Sequence, residues 1–310
     1  MARWQSDHIA AALRRRGHEV SVEIIRTTGD RLQEATFAQV GTKGMFTKEI
    51  EEALAAGGID LAVHSLKDLP TELGASFTIA AIPRREDPRD VFVSMEYESI
   101  AAMHARGRVG TSSLRRQSQL RAVRPDLEFV EFRGNVDTRL RKLAEGHVGG
   151  IVLAAAGLER LDKTEWIRER FAVDLVCPAA GQGALAVECR ADDPETRAAV
   201  ASLDHADTRF AVTAERAALA ALGGGCQVPI GVYCLREIED FFISGAVASA
   251  DGTRVVRAGL RVERADVGGD APEAEGLGRR LAGALLDLGA GEILSGGVAG
   301  HPEKNIPGAS

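Results

Sequence analysis

The stretch Val63-His64-Ser65-Leu66-Lys67-Asp68-Leu69-Pro70 sets a lysine and an aspartate side by side, just where the apolar run Ile59 to Val63 ends. A Lys-Asp dipeptide in a loop is ordinarily a solvated ion pair, because loops are where charges sit. At the end of a buried strand the backbone beneath the pair is held. The remaining residues with chemical potential decide between these readings.

The basic residues are the next set. Arg115 and Arg116 follow Gly110-Thr111-Ser112-Ser113, Arg133 and Arg139 sit in FRGNVDTRL, Arg160 follows AAAGLE, and Arg89 lies in REDPRD. With Ser113 as the N-cap of the helix that follows, Arg115 and Arg116 fall in its first turn. Cations there oppose the helix dipole by a few tenths of a kcal/mol each, roughly. The pair is a poor choice for stability alone. It makes sense with an anion at that terminus, held by backbone N–H groups and guanidinium forks. Any one of these arginines taken alone reads better as surface charge. As a set, at strand-to-helix turns of one sheet, they point to a ligand. Planar forks suit carboxylates or phosphates, and no glycine-rich nucleotide loop is present. Several carboxylates are expected. In Gly223-Gly224-Gly225-Cys226-Gln227-Val228-Pro229-Ile230-Gly231, glycines present one thiol in a tight or mobile loop. A packing cysteine normally sits inside a strand or helix, so the functional reading is a reactive or modified thiol.

The elements that must position these groups follow from periodicity. Ile9 and Leu13 with neighbouring alanines make a helical face stopped by Gly17, and Glu19 to Ile25 alternates as a strand. Phe46, Ile50 and Leu54 mark one face of a helix within Gly41 to Gly58. Phe77 to Arg84 reads as a strand. From Asp90 onward, strand-to-helix units repeat, which predicts a parallel sheet with helices on its faces and a ligand beyond the strand carboxyl ends. Pro178 to Arg190 reads as a Gly-rich turn into a strand, and Pro194 to Leu222 as one long helical stretch. The last third predicts strands joined by turns, Asp251-Gly252 as a hairpin, a helix from Glu275 to Leu288, and a disordered tail, GHPEKNIPGAS.

The chain has 310 residues, 45% of them hydrophobic and 27% charged, which is ordinary globular composition with room for two or three domains. Its formal net charge of −7 argues against a bulk electrostatic grip on nucleic acid or an anionic membrane. The four cysteines, Cys177, Cys189, Cys226 and Cys234, fit no zinc pattern and predict a reduced, cytoplasmic protein. No apolar run approaches a transmembrane helix, and the first residues lack a signal peptide's apolar core.

Eight stretches, VGTKGMFTKEIE, VHSLKDLP, REDPRDVFVS, VGTSSLRRQSQL, FRGNVDTRL, LAAAGLERL, PAAGQGALAVECR and GGGCQVPIG, together resemble the porphobilinogen deaminase (hydroxymethylbilane synthase) family in order and spacing. The resemblance runs from about Trp4 to the last helix. It implies an α/β fold: two periplasmic-binding-protein-like α/β domains with a ligand cleft between them, plus a small α+β third domain. Domain 1 would be residues 1–84 and 184–203, domain 2 residues 85–183, and domain 3 residues 204–310. It implies head-to-tail condensation of porphobilinogen into 1-hydroxymethylbilane with release of ammonia, by a monomer, without a metal. It implies a dipyrromethane cofactor joined by a thioether to Cys226. Porphobilinogen carries an acetate and a propionate, so a growing polypyrrole is a ladder of carboxylates. The resemblance matches Arg115, Arg116, Arg133, Arg139 and Arg160 to anion-binding arginines, Thr111, Ser112 and Ser113 to hydroxyl and backbone donors, Lys67 to a cofactor-carboxylate contact, and Asp68 to the catalytic aspartate. A fixed carboxylate there would stabilise the cation left as the aminomethyl nitrogen departs, and shuttle a proton. The family begins with a strand and a loop like GTRGSPLA, whereas this sequence starts just past it, so domain 1 is expected to lack that strand and two ligand contacts. The competing readings are a non-catalytic anion-binding receptor and a truncated, inactive paralogue.

Overall fold

The computed structural model describes residues 1–25, 47–224, 228–238, 240–263 and 270–296. Three sheets organise the described residues. The first has order β1-β8-β2, with β1 (Leu61–Ser65) and β2 (Phe77–Ala81) both antiparallel to β8 (Leu185–Arg190). The alternation of buried and less buried residues in β1 turns Ala62 and His64 inward. Helix α1 (Ala2–Arg14) packs Ile9, Ala12 and Leu13 against Leu185 and Val187 of this sheet. Helix α2 (Lys48–Ala55) buries Leu54, the residue expected on its apolar face.

After β2 the chain crosses to a five-stranded sheet of order β5-β4-β6-β3-β7 and returns to the first sheet only at β8. Its strands are β3 (Asp90–Val93), β4 (Arg108–Gly110), β5 (Glu128–Val130), β6 (Gly150–Ala154) and β7 (Ile167–Arg170). Period-two side chains give it two buried faces. Val91, Val93, Ile151 and Leu153 face one core with Leu140 and Leu158, while Phe92 and Val152 face the other with Leu120 and Phe171. Helices α3 (Leu114–Val123), α4 (Val136–Ala144) and α5 (Ala155–Glu159) carry Leu120, Leu140 and Leu158. The third sheet, β11-β10-β9, is an antiparallel meander of β9 (Ile230–Glu237), β10 (Asp240–Ala248) and β11 (Val255–Glu263). Helices α7 (Ala206–Ala221) and α8 (Ala271–Asp287) share one core with it. Helices α6 (Pro194–Ala201) and α9 (Ala290–Gly296) are the remaining α-helices among the described residues.

The α/β class is the one expected, but several elements differ. In the five-stranded sheet only β5, β4 and β6 run parallel, while β3 is antiparallel to β6 and β7. Reading direction from βα alternation fails at β3 and β7, which are not joined to their neighbours by such units. Glu19 to Ile25 is not a strand, because no described strand pairs with it. The single helical stretch from Pro194 is two helices, separated where the His205 ring accepts from the Thr208 N–H and caps α7. The helix expected from Glu275 begins four residues earlier, capped by Asp270. The Asp251-Gly252 hairpin is present, with Gly252 at φ 77°. Residues 297–310 and Phe46 lie outside the described residues. Among those described, no helix is long and apolar enough to cross a membrane.

Candidate active site

The Lys67–Asp68 pair occupies a single 3₁₀ turn, Leu66–Asp68, directly after β1. Leu66 is buried, and its N–H donates to the Ala184 carbonyl at 3.0 Å. The glycine-rich loop before β8 packs against this turn. Gly181 sits at φ 74°, and a Cβ there would come within 3.0 Å of the Leu66 side chain. Gly183 sits at φ 85°, where a Cβ would lie 2.7 Å from the Glu86 carbonyl. Both positions therefore need glycine for conformation and for close approach. On this support Asp68 is exposed, while the Lys67 Nζ donates to Gln182 Oε1 at 3.3 Å. Burial lowers the Lys67 pKa to about 8, against the opposing charge of Asp68 and with that of Arg116.

Arg115 and Arg116 lie in the first turn of α3, and Ser113 caps it by accepting from the Arg116 N–H at 3.4 Å, as expected. Their anion is internal. Arg115 and Arg116 are 5% and 6% exposed, and both pair with Asp90, which is 0% exposed. The Arg115 Nη1 donates to Asp90 Oδ2 at 2.7 Å, and the Arg116 Nε and Nη2 donate to Oδ1 at 2.9 and 2.7 Å. Arg116 Nη1 also reaches the Val152 carbonyl at 3.1 Å. Burial alone would raise the Asp90 pKa, but the two guanidiniums outweigh it and hold the carboxyl well below the usual range. The first charge that balances the two arginines thus comes from the start of β3.

The other matched residues divide into two groups. Arg139 on α4 is partly buried, and its Nε has no hydrogen-bond partner among the described residues. Burial first, then Arg116 and Arg133, lower its pKa to about 10. Lys67, Arg115, Arg116, Arg133 and Arg139 are therefore one coupled set of cations. Arg133 Nε also donates to Glu131 at 2.6 Å. Arg160 stands apart in charge: it pairs with Glu86, donates to the Gly183 carbonyl at 2.9 Å, and lies over the Trp4 ring at 5.7 Å. Ser112 Oγ accepts from the Phe132 N–H at 3.1 Å, and Thr111 Oγ1 accepts from the Ser113 N–H at 3.2 Å, so both hydroxyls shape the turn before α3. Cys226 lies outside the described residues. Among those described, the thiols of Cys177, Cys189 and Cys234 are buried and their pKa values raised, first by burial. Arg89, noted with the basic residues, forks onto Asp87.

Sequence reasoning missed Asp90 and Gln182, although both stand in stretches it singled out, REDPRDVFVS and PAAGQGALAVECR. An acid at the first position of an apolar strand was the available signal. A carboxylate-bearing polypyrrole fits the cation set, and the buried, unpartnered Arg139 Nε is a donor for which such a ligand supplies an acceptor. Among the described residues no group of His, Cys, Asp and Glu is arranged to hold a metal ion.

Fold and site together define an α/β protein with a cluster of arginines and a lysine beside an exposed aspartate. The family description "Porphobilinogen deaminase, dipyromethane cofactor binding domain" matches residues 1–198, and "Porphobilinogen deaminase, C-terminal domain" matches residues 209–287. Porphobilinogen deaminase of Roseiflexus sp. (strain RS-1) is 50% identical over 280 residues, 90% of each chain. That of Xanthomonas euvesicatoria pv. vesicatoria (strain 85-10) is 47% identical over 297 residues, 95% of each. A solved structure, the VFT2 domain of Bordetella pertussis BvgS, is similar at TM-score 0.38 and 12% identity, over 64% of this chain and 76% of that one. The chain belongs to the porphobilinogen deaminase family.

Proposed function

We propose that this chain is a transferase that condenses four porphobilinogen molecules head to tail into 1-hydroxymethylbilane, releasing ammonia. The observation that carries the reading is an exposed Asp68 on a rigid turn, beside a lysine and coupled arginines, in a chain of this family. The dipyrromethane cofactor, once bound, supplies the pyrrole carbon on which the product chain is built. Lys67 and the Arg116–Arg139 cations hold the carboxylates of this ladder. Asp68 stabilises the positive charge that develops as the aminomethyl nitrogen leaves the substrate, and takes or returns the proton. Thr111, Ser112 and Ser113 set the entry to α3 and so the placement of its arginines. Arg133 and Arg160 serve carboxylates further along the chain, with Glu131 and Glu86 as their counter-charges when no ligand is there.

Cys226 carries the cofactor through a thioether; its flanking glycines and the buried state of the other thiols support this. The division into residues 1–84 with 184–203, 85–183 and 204–310 is supported by the chain leaving the first sheet after β2 and returning at β8. The protein acts as a cytoplasmic monomer, without nucleic acid or membrane. Intact mass of the purified protein tests the reading. The parent should carry the added mass of a dipyrromethane and gain further pyrrole increments on brief exposure to porphobilinogen. Cys226→Ser should fold and carry none. Cofactor mass mapped to Cys177, Cys189 or Cys234 would defeat the attachment site, and a parent that never gains pyrroles would defeat the enzymatic reading.

A further inference from the structure

We propose that Gln182 is a positioning residue for this site: its side-chain amide presents an oxygen to the Lys67 ammonium and joins the Lys67–Asp68 turn to the Asp90–Arg115–Arg116 cluster. The inference deepens the functional reading and rests on it for the roles of Lys67 and Asp68. Gln182 is fully buried between the two glycines of the loop before β8. Its Nε2 donates to the Pro88 carbonyl at 2.7 Å and to Asp90 Oδ1 at 2.9 Å. Both partners only accept, so the end of the amide facing them must be its nitrogen. The oxygen is thereby turned to Lys67 Nζ, 3.3 Å away.

The backbone of Gln182 is held as firmly as its side chain. Its N–H donates to the Ala179 carbonyl at 2.9 Å, and its own carbonyl accepts from Arg85 Nε at 2.7 Å. The charges facing Lys67 are Asp68 on its own turn, Asp90 on β3, and Arg115 and Arg116 on α3. Two of these four are cations, and burial adds to their effect on an ammonium. A neutral amide whose oxygen cannot rotate away is a way to keep the ammonium in place without cancelling the charge it offers a carboxylate. Asp90 binds Arg115 Nη1, Arg116 Nε and Nη2, and Gln182 Nε2 at once, so the placement of Lys67 and of both arginines depends on one carboxylate.

The test is trace acetylation with acetic anhydride on cofactor-loaded protein across a pH series, with Lys67 followed by peptide mass. Gln182→Met keeps the length and removes the polar end. Its Lys67 labelling midpoint should fall by about one pH unit relative to the parent, because the ammonium loses an acceptor. Pyrrole addition should slow by about tenfold or more. Gln182→Asn is one methylene shorter, keeps a donor for the Pro88 carbonyl and withdraws its oxygen from Lys67, so it serves if the Met variant does not fold. A Lys67 midpoint equal to the parent's in a variant that still melts cooperatively would overturn the proposal, even if turnover drops, since that pattern belongs to a merely structural residue. A parent that gains no pyrroles would sink the functional reading while leaving the labelling comparison intact.

Discussion

Asp68 and Lys67 are neighbours in sequence but sit in different surroundings: one is exposed, the other is pressed against the buried cluster around Asp90. Because burial lowers the lysine to about 8, its ammonium is present below that pH and lost above it, well before an ordinary lysine would titrate. Chain elongation should therefore weaken as pH rises through about 8. Lys67→Arg, which keeps its charge throughout, should lose that alkaline decline while binding less well overall; an identical decline in Lys67→Arg would assign it to another group. Asp68→Asn should fold and load cofactor but elongate about 10²–10³ times more slowly, as expected on losing one preorganised charge. Quenched samples resolved by mass into one-, two- and three-pyrrole species report this directly, and stepping at the parent's rate would remove Asp68 from the chemistry.

At the scale of the element, the start of α3 carries the most information. Two arginines in a first turn oppose the helix dipole, and Ser113 supplies only the cap. What makes the turn stable is Asp90 at the start of β3, which takes three guanidinium N–H groups from the pair. Arg116→Lys keeps the charge but cannot place Nε and Nη2 on Asp90 and Nη1 on the Val152 carbonyl together. It should cost on the order of 1.5–3 kcal/mol of stability, read by thermal melting, and lower turnover as well. A variant that matches the parent in both would show that the fork is not needed. Ser113 as a cap and Asp251-Gly252 as a hairpin were legible in sequence because each depends on residues within a few positions. Asp90 was not, because its partners lie 25 and 26 residues away and meet it only once β3 and α3 are packed.

Across the whole molecule, Glu215 of α7 is the buried joint. It accepts from Arg85 Nη1 at 2.6 Å, from the Gly181 N–H at 2.7 Å and from the Cys234 N–H of β9 at 2.7 Å. These partners belong to the segment leaving the first sheet, the loop that returns to it, and the third sheet. Glu215→Gln would turn an NH₂ toward one of these donors and leave Arg85 without its counter-charge, so it should destabilise by about 3–5 kcal/mol in denaturant melts. A melt matching the parent's would mean the joint is not holding the three regions together. The sequence by itself determined the apolar faces, the caps and turns, the eight linked motifs and hence the family, since all of these are local patterns or their order. Only the tertiary structure decided strand direction at β3 and β7, the failure of Glu19 to Ile25 to pair, and the internal anion that Arg115 and Arg116 share. Pairing partners and buried counter-charges come from distant segments, and nothing in the spacing of a single chain specifies which of them will meet.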